Sequence, residues 1–298
     1  MIDCSAVATA AIDIRGLRRR GQVYVALTAL AWSTAGVMQR ALSVDTATQV
    51  AGRACFGLIV LLTFVAVSER GGLVRAFTSM GLAEVAVAIS TAVASSAFIV
   101  ALNHTTVANV LFLQAAAPIL AAVISWAALG ESISRLTALA TAIALAGVAL
   151  MVGGPGGARG IGVVLSGAMT LAFASSVVIT RHRRDISMAP AICLAQVIVL
   201  TLSGPFSHPG AIGVRDFWLI LGLGVVQMGL GLAFLTMGAR LIPAAEVALI
   251  TLLEVVLGPL WVWLARSERP SASTLAGGAV VVAAVLVQAF GDRGEAPG

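Results

Sequence analysis

Met151-Val152-Gly153-Gly154-Pro155-Gly156-Gly157-Ala158-Arg159-Gly160 lies near the middle of a 298-residue chain and divides it into two similar halves. Four glycines and one proline in five residues disfavour regular structure, because glycine has the most backbone freedom to lose and proline lacks an N–H. Each side of this break holds five apolar stretches of about 20 residues, the length that crosses a bilayer as a helix. Before the break they fall at roughly 21–40, 46–67, 81–102, 106–129 and 133–153. After it they fall at roughly 160–180, 187–206, 216–238, 243–265 and 271–290. Turn or charge signals separate them, among them Ser68-Glu69-Arg70-Gly71-Gly72, Gly130-Glu131-Ser132 and Arg181-His182-Arg183-Arg184-Asp185.

The two halves align. A shift of 137 residues sets Trp126 on Trp263, Glu131 on Glu268, Asn103 on Arg240, Asn109 on Glu246 and Ser90 on Gln227. A shift of 141 sets Trp32 on Phe173 and Arg40 on Arg181. An odd number of spans per half makes the second copy enter the membrane upside down. Such inverted repeats are common in secondary transporters, whose substrate site lies near the midplane between the halves. The predicted fold is an all-α integral membrane protein with ten transmembrane helices as two inverted five-helix repeats. The repeats occupy 21–153 and 160–290, joined by a Gly-rich linker at 154–159. An Arg-rich N-terminal tail at 1–20 and a C-terminal tail at 291–298 flank them.

Composition agrees with this reading. The chain is 59% hydrophobic and 10% charged, with a mean hydropathy of +1.03. Soluble domains carry about 25% charged residues, so a water-soluble enzyme does not fit. All 18 basic residues are arginine. Without lysine there is neither a P-loop nor a Schiff base, and no cofactor is expected. The +5 charge is spread in short Arg clusters between apolar runs, which speaks against a nucleic-acid partner. Cys4, Cys55 and Cys193 are far apart and form no CxxC, so neither a metal site nor a disulfide framework is read from them.

The arginines also set an orientation. With the N-terminus inside, Arg15, Arg18, Arg19, Arg20, Arg70, Arg75, Arg135, Arg181, Arg183, Arg184, Arg240 and Arg293 fall on the cytoplasmic side. Arg40, Arg159, Arg215, Arg266 and Arg269 fall outside, and Arg53 lies within a span. The excess of cytoplasmic arginine predicts both termini in the cytoplasm and an even number of spans.

Polar residues at membrane depth are the candidate functional groups. Glu254 lies about halfway along span nine among apolar neighbours. An acid there is expensive unless protonated, paired or wet. It reads as a proton carrier, or as a protonated hydrogen-bonding tie between helices. Glu246 follows Pro243 by three residues, in the first turn of its helix, where the macrodipole alone accounts for an acid. Arg53 falls about seven residues inside span two. It reads as the seat of a substrate carboxylate, or as a structural pair or snorkelling side chain. Trp32, Ser33 and Thr34 offer an aromatic wall and hydroxyls to a substrate, or small-residue packing. Asn109, Gln114 and Gln227 are amides that either line a cavity or bond between helices. His104 reads as a solvated turn histidine, Glu131 and Glu268 as interfacial helix ends, and Trp126, Trp261 and Trp263 as interfacial anchors. No nucleophile–base pair or metal cluster is seen, so the chain is not read as an enzyme.

Span one carries Leu30-Ala31-Trp32-Ser33, and span two carries Arg53-Ala54-Cys55-Phe56. Span four and its approach read Ala101-Leu102-Asn103-His104-Thr105-Thr106, then Ala117-Pro118, then Leu129-Gly130-Glu131. Span nine repeats the pattern as Leu253-Glu254, Trp263 and Ser267-Glu268-Arg269. In order and spacing these motifs resemble the drug/metabolite transporter superfamily, specifically its EamA-type ten-helix members, over about 21–290. There are departures: Glu254-Val255 stands where the family often has Glu-Pro, and Arg266-Ser267-Glu268 replaces a second Leu-Gly-Glu. The resemblance implies a secondary transporter in the plasma membrane, the inner membrane of a bacterium. It implies export of small metabolites such as amino acids or related compounds through a cavity lined mainly by spans one, three, four, six, eight and nine. Its expected partners are a small-molecule substrate, the lipid bilayer, protons and a second copy in a homodimer. The alternatives are a broad-specificity drug or toxic compound exporter and a non-transporting membrane subunit.

Overall fold

A computed structural model of the chain describes residues 4–39, 41–68, 72–104, 110, 113–130, 133–152, 160–266 and 272–291. Among these residues every regular element is a helix, as membrane-depth backbone must bond within its own segment or close into a barrel. The first half holds α1 (Cys4–Ser33), α2 (Ala35–Gln39), α3 (Thr46–Ser68), α4 (Leu73–Thr78), α5 (Leu82–His104), α6 (Ala117–Leu129) and α7 (Arg135–Val152). The second holds α8 (Ile161–His182), α9 (Ala189–Ser203), α10 (Val214–Ala239), α11 (Ala244–Thr251), α12 (Leu253–Arg266) and α13 (Ala272–Gly291).

Local chemistry sets several ends. Pro118 and Pro190 sit in the first turns of α6 and α9, where a missing N–H costs nothing. Gly130 ends α6 with φ +66°, a left-handed conformation that glycine adopts freely. Asp45 caps α3: its carboxylate accepts from the Thr48 amide at 2.9 Å and the Thr48 hydroxyl at 2.6 Å.

Among the described residues five helices are long and apolar enough to cross a membrane: Thr46–Ser68, Leu82–Ala101, Ile161–His182, Ala189–Phe206 and Val214–Ala239. Three shorter apolar helices, Ala117–Leu129, Arg135–Leu150 and Leu275–Val287, accompany them. The described residues support a multi-helix membrane bundle without establishing the expected count of ten, and several expected span ends differ for local reasons. The stretch read as a tail up to residue 20 is helical from Cys4, so its arginines continue into α1. The same helix ends at Ser33, short of residue 40. Span nine is two helices. Between them Leu252 donates to Leu249 O and Val255 to Leu252 O, bonds that bridge three residues instead of four. The described part of span four likewise turns at Ala115–Ala116 before α6 begins. The linker at 154–159 lies outside the described residues.

The packing carries a two-fold pattern. α5 lies against α8, as α10 lies against α1. α3 lies against α10, as α9 lies against α5. α6 lies against α8, as α12 lies against α1. The pairs α3–α9, α6–α11 and α7–α13 map onto themselves. Exchanging each first-half span for the span five places on therefore reproduces the contacts. Small residues bring the backbones together. A Cβ on Gly57 would stand 2.7 Å from Met228 Cβ, and one on Gly224 2.9 Å from Arg53 O. The core is mostly alanine and valine, with Leu61, Val65, Ile242, Leu249 and Leu252 fully enclosed. Large apolar side chains such as Ile59, Val67, Val164 and Leu264 point outward, as the lipid-facing side of such a bundle requires.

Candidate functional site

A cavity opens where the two halves meet. It holds about 690 Å³ of atom-free space, mouth included. α1 contributes Trp32 and α3 contributes Arg53. α5 contributes Thr91, Ser95 and Phe98 at a spacing of four and three, one helix face. α8 contributes Met169, Thr170, Phe173 and Ser176, and α10 contributes Gln227, Met228, Leu232 and Leu235. Gln114 comes from the helical residues just before the Ala115–Ala116 turn, and Glu254 from the first turn of α12.

Equivalent positions of the two halves touch inside this cavity. Trp32 meets Phe173 edge to face, with ring centroids 5.7 Å apart. Gln114 donates its side-chain amide to the Glu254 carboxylate. The first pair is related by the shift of 141 seen in the sequence, and the second joins the equivalent spans four and nine. The pseudo-two-fold axis therefore runs through the cavity. Glu254 occupies a break within a span, at a helix N-terminus whose dipole favours the acid.

Arg53 is 3% exposed. Its Nη1 donates to Gln227 Oε1 at 3.2 Å, and its Nη2 donates to Ser95 O at 3.2 Å and Ser95 Oγ at 3.1 Å. All three acceptors are neutral, and among the described residues no carboxylate pairs with it. A buried guanidinium held only by neutral groups retains its attraction for an anion. Its counterpart in α9 is Gln196, the eighth residue of that helix as Arg53 is of α3. Gln196 is fully buried, and neither of its amide atoms has a partner among the described residues.

The remaining sequence candidates lie elsewhere. Ser33 does not line the cavity. Its hydroxyl donates to Leu30 O and accepts from Trp261 Nε1 at 2.8 Å, tying α1 to α12. Trp261, read as an interfacial anchor, is thereby an inter-helix tie. Glu246 also lies outside the cavity, fully buried. It accepts from Arg18 Nη2 at 2.9 Å and Gln22 Nε2 at 2.7 Å. Arg18, expected in the N-terminal tail, is thus a partner of α11. Asn109 lies outside the described residues. Thr91, Ser95, Thr170 and Ser176 were not singled out by sequence. Ser95, which binds Arg53 twice, lies five residues beyond the Ser90 that the repeat shift picks out.

Two further clusters lie at opposite ends of α10, and the one at its first turn joins the halves. Beyond its last turn, Arg240 Nε donates to Arg184 O at 2.8 Å, and Arg181 donates to Arg240 O at 3.2 Å. In its first turn, Asp216 accepts from Ser43 Oγ at 2.5 Å. Nearby, the His208 amide donates to Thr48 Oγ1 at 2.8 Å, and the His208 ring lies 3.4 Å from Asp45. Hydrogen bonds from the Thr48 side chain and backbone, reinforced by His208, lower the Asp45 pKa from 3.8 to about 2. Among the described residues no group of three or more His, Cys, Asp or Glu side chains could hold a metal ion.

A helical bundle with apolar spans, pseudo-two-fold packing and a mainly apolar cavity with a few polar groups between its halves defines a multi-pass membrane protein of the small-molecule carrier class. The chain matches the EamA-like transporter family over residues 19–153 and again over 159–290, and belongs to that family. It is 36% identical over 81 residues to the pseudopaline exporter CntI of Pseudomonas aeruginosa, in strains UCBPP-PA14 and PAO1. That match spans 27% of this chain and 28% of the relative. A solved crystal structure superposes with a TM-score of 0.77 at 18% identity, over 90% of this chain and 96% of that one.

Proposed function

We infer that the chain is a secondary active exporter of small metabolites, such as amino acids or related compounds. The carrying observation is the cavity between the halves, which presents Arg53 and Glu254 among otherwise apolar walls. A transporter family that matches twice along the chain supports this reading, and so does a partial relative named as an exporter. In this reading ten spans form two inverted five-helix repeats, with both termini in the cytoplasm of a bacterium. The halves rock about the cavity, which faces each side of the membrane in turn. Arg53 seats a substrate carboxylate, and Glu254 exchanges a proton. Trp32, Gln114 and Gln227 line the pathway. Ser33 and Glu246 act from outside the cavity by holding α1 to the second half.

The test is flux in proteoliposomes under an imposed pH gradient, with a pooled panel of radiolabelled amino acids and related metabolites. Gradient-dependent accumulation of a few compounds is expected. No flux from correctly folded protein would overturn the reading. A second reading, a broad-specificity exporter, draws on Met169, Met228, Phe98, Phe173 and Trp32, because methionine and aromatic walls repack around varied ligands. Efflux of several unrelated dyes would favour it.

A further inference from the structure

Between Leu223 and Leu230 the backbone of α10 winds as a π-helix for eight residues. π-Winding is rare, normally lasts a single turn, and collects at functional sites. Gln227 lies inside this segment and does two jobs. Its side-chain oxygen accepts from Arg53 Nη1 of α3 at 3.2 Å. Its backbone oxygen accepts from Trp32 Nε1 of α1 at 3.0 Å. One residue therefore ties the buried cation to the aromatic side chain of another helix. The neighbouring glycines make this contact sterically possible. A Cβ on Gly231 would stand 2.5 Å from Trp32 Nε1, and a Cβ on Gly229 would stand 2.7 Å from Val60 Cβ.

We propose that Gln227 is a positioning residue that couples occupancy of the anion seat at Arg53 to the release of α1, with the π-wound segment of α10 as the moving part. The inference rests on the transport reading above. An anion on Arg53 competes with the Gln227 side chain for the same guanidinium. Losing that bond removes one of the two ties that Gln227 makes to other helices. Rewinding to α drops one residue from a turn and rotates the rest of α10 by about 100°. That rotation carries the Gln227 carbonyl away from Trp32. Trp32 and its contact with Phe173 then become free to move, which opens the cavity between α1 and α8.

The test needs no identified substrate. In the full chain with Cys4, Cys55 and Cys193 replaced by alanine, Ser176→Cys places one thiol on the cavity wall. Its reaction rate with a charged, membrane-impermeant methanethiosulfonate is measured in proteoliposomes. Gln227→Leu removes the Arg53 bond and keeps the backbone carbonyl. Gly231→Ala pushes the Trp32 indole off that carbonyl and leaves Arg53 untouched. Both are expected to speed labelling, Gln227→Leu by about tenfold, the population shift produced by loss of a hydrogen bond to a charged group, and Gly231→Ala by about fivefold, the shift for a neutral one. Gln227→Glu restores an acceptor at Arg53 and is expected to bring labelling back to the parent rate or below. Labelling within twofold of the parent in both Gln227→Leu and Gly231→Ala overturns the proposal. So does Gln227→Glu labelling as fast as Gln227→Leu, because a purely structural role would not be rescued by the charge. Absent flux with the labelling pattern intact would instead refute transport and leave the coupling standing.

Discussion

Replacing Glu246 by leucine tests the tie between α1 and α11 quantitatively. The carboxylate is 1% exposed, whereas the Arg18 side chain is 31% exposed. Removing one partner of a fully buried pair costs about 3–5 kcal/mol, mainly from the charge left behind. Here the remaining charge reaches solvent, so the ionic part is smaller, about 1–2 kcal/mol after screening. Gln22 loses its acceptor as well, worth about 1 kcal/mol. The first turn of α11 loses its acid, worth about 0.5 kcal/mol. Glu246→Leu is therefore expected to destabilise the protein by about 3 kcal/mol, and Glu246→Gln, which keeps an acceptor for Gln22, by about half of that. Adding Arg18→Met to Glu246→Leu is expected to recover about 1 kcal/mol, because a guanidinium no longer faces the apolar side chain that replaces Glu246. The assay is the denaturation midpoint of the purified protein in one detergent, for the four chains side by side. Equal stability of Glu246→Leu and the parent would refute the argument. So would a double variant weaker than Glu246→Leu alone.

Three further outcomes are expected. Glu254→Gln abolishes transport driven by a pH gradient, and unchanged proton-driven rates would leave Glu254 as a helix tie to Gln114. The folded chain holds Asp45 below its ordinary pKa, at about 2 instead of 3.8, so its contribution is fully present above pH 4 and is lost as pH falls toward 2. Asp45→Asn should remove that part of the acid sensitivity, and identical acid profiles of the two chains would contradict the Thr48 cap. Gly147→Leu forces a side chain against Gly277 O, only 2.8 Å from where its Cβ would stand. It should cost about 1–3 kcal/mol of stability through overpacking. Because α7 and α13 do not line the cavity, flux per folded molecule should stay near the parent level. A large fall in flux with unchanged stability would show that this helix pair takes part in the transport cycle.

The class of the protein and the plan of its two halves are legible in the chain alone. Apolar runs of membrane length, arginine other than Arg53 kept to their ends and a Gly-Pro break at the centre stem from the cost of placing charge and unpaired backbone in lipid. That cost acts residue by residue, so it can be read without a fold. The same logic picked out Arg53, Gln114, Gln227, Glu254 and Trp32, which the structure brings into one cavity. Which polar groups meet is settled by the packing of the helices. Glu246 and Glu254, eight residues apart and expected on one continuous helix, are separated by the break at Leu252. One serves α1 at an end of the bundle and the other faces the cavity. Ser95 and the π-winding around Gln227 also had no signature in the linear text. A serine in an apolar helix reads the same whether it bonds its own backbone or a neighbour's guanidinium. The winding depends on glycine contacts between helices that lie far apart in sequence. Partner choice among buried polar groups is a property of packing, and packing is set by all the helices at once.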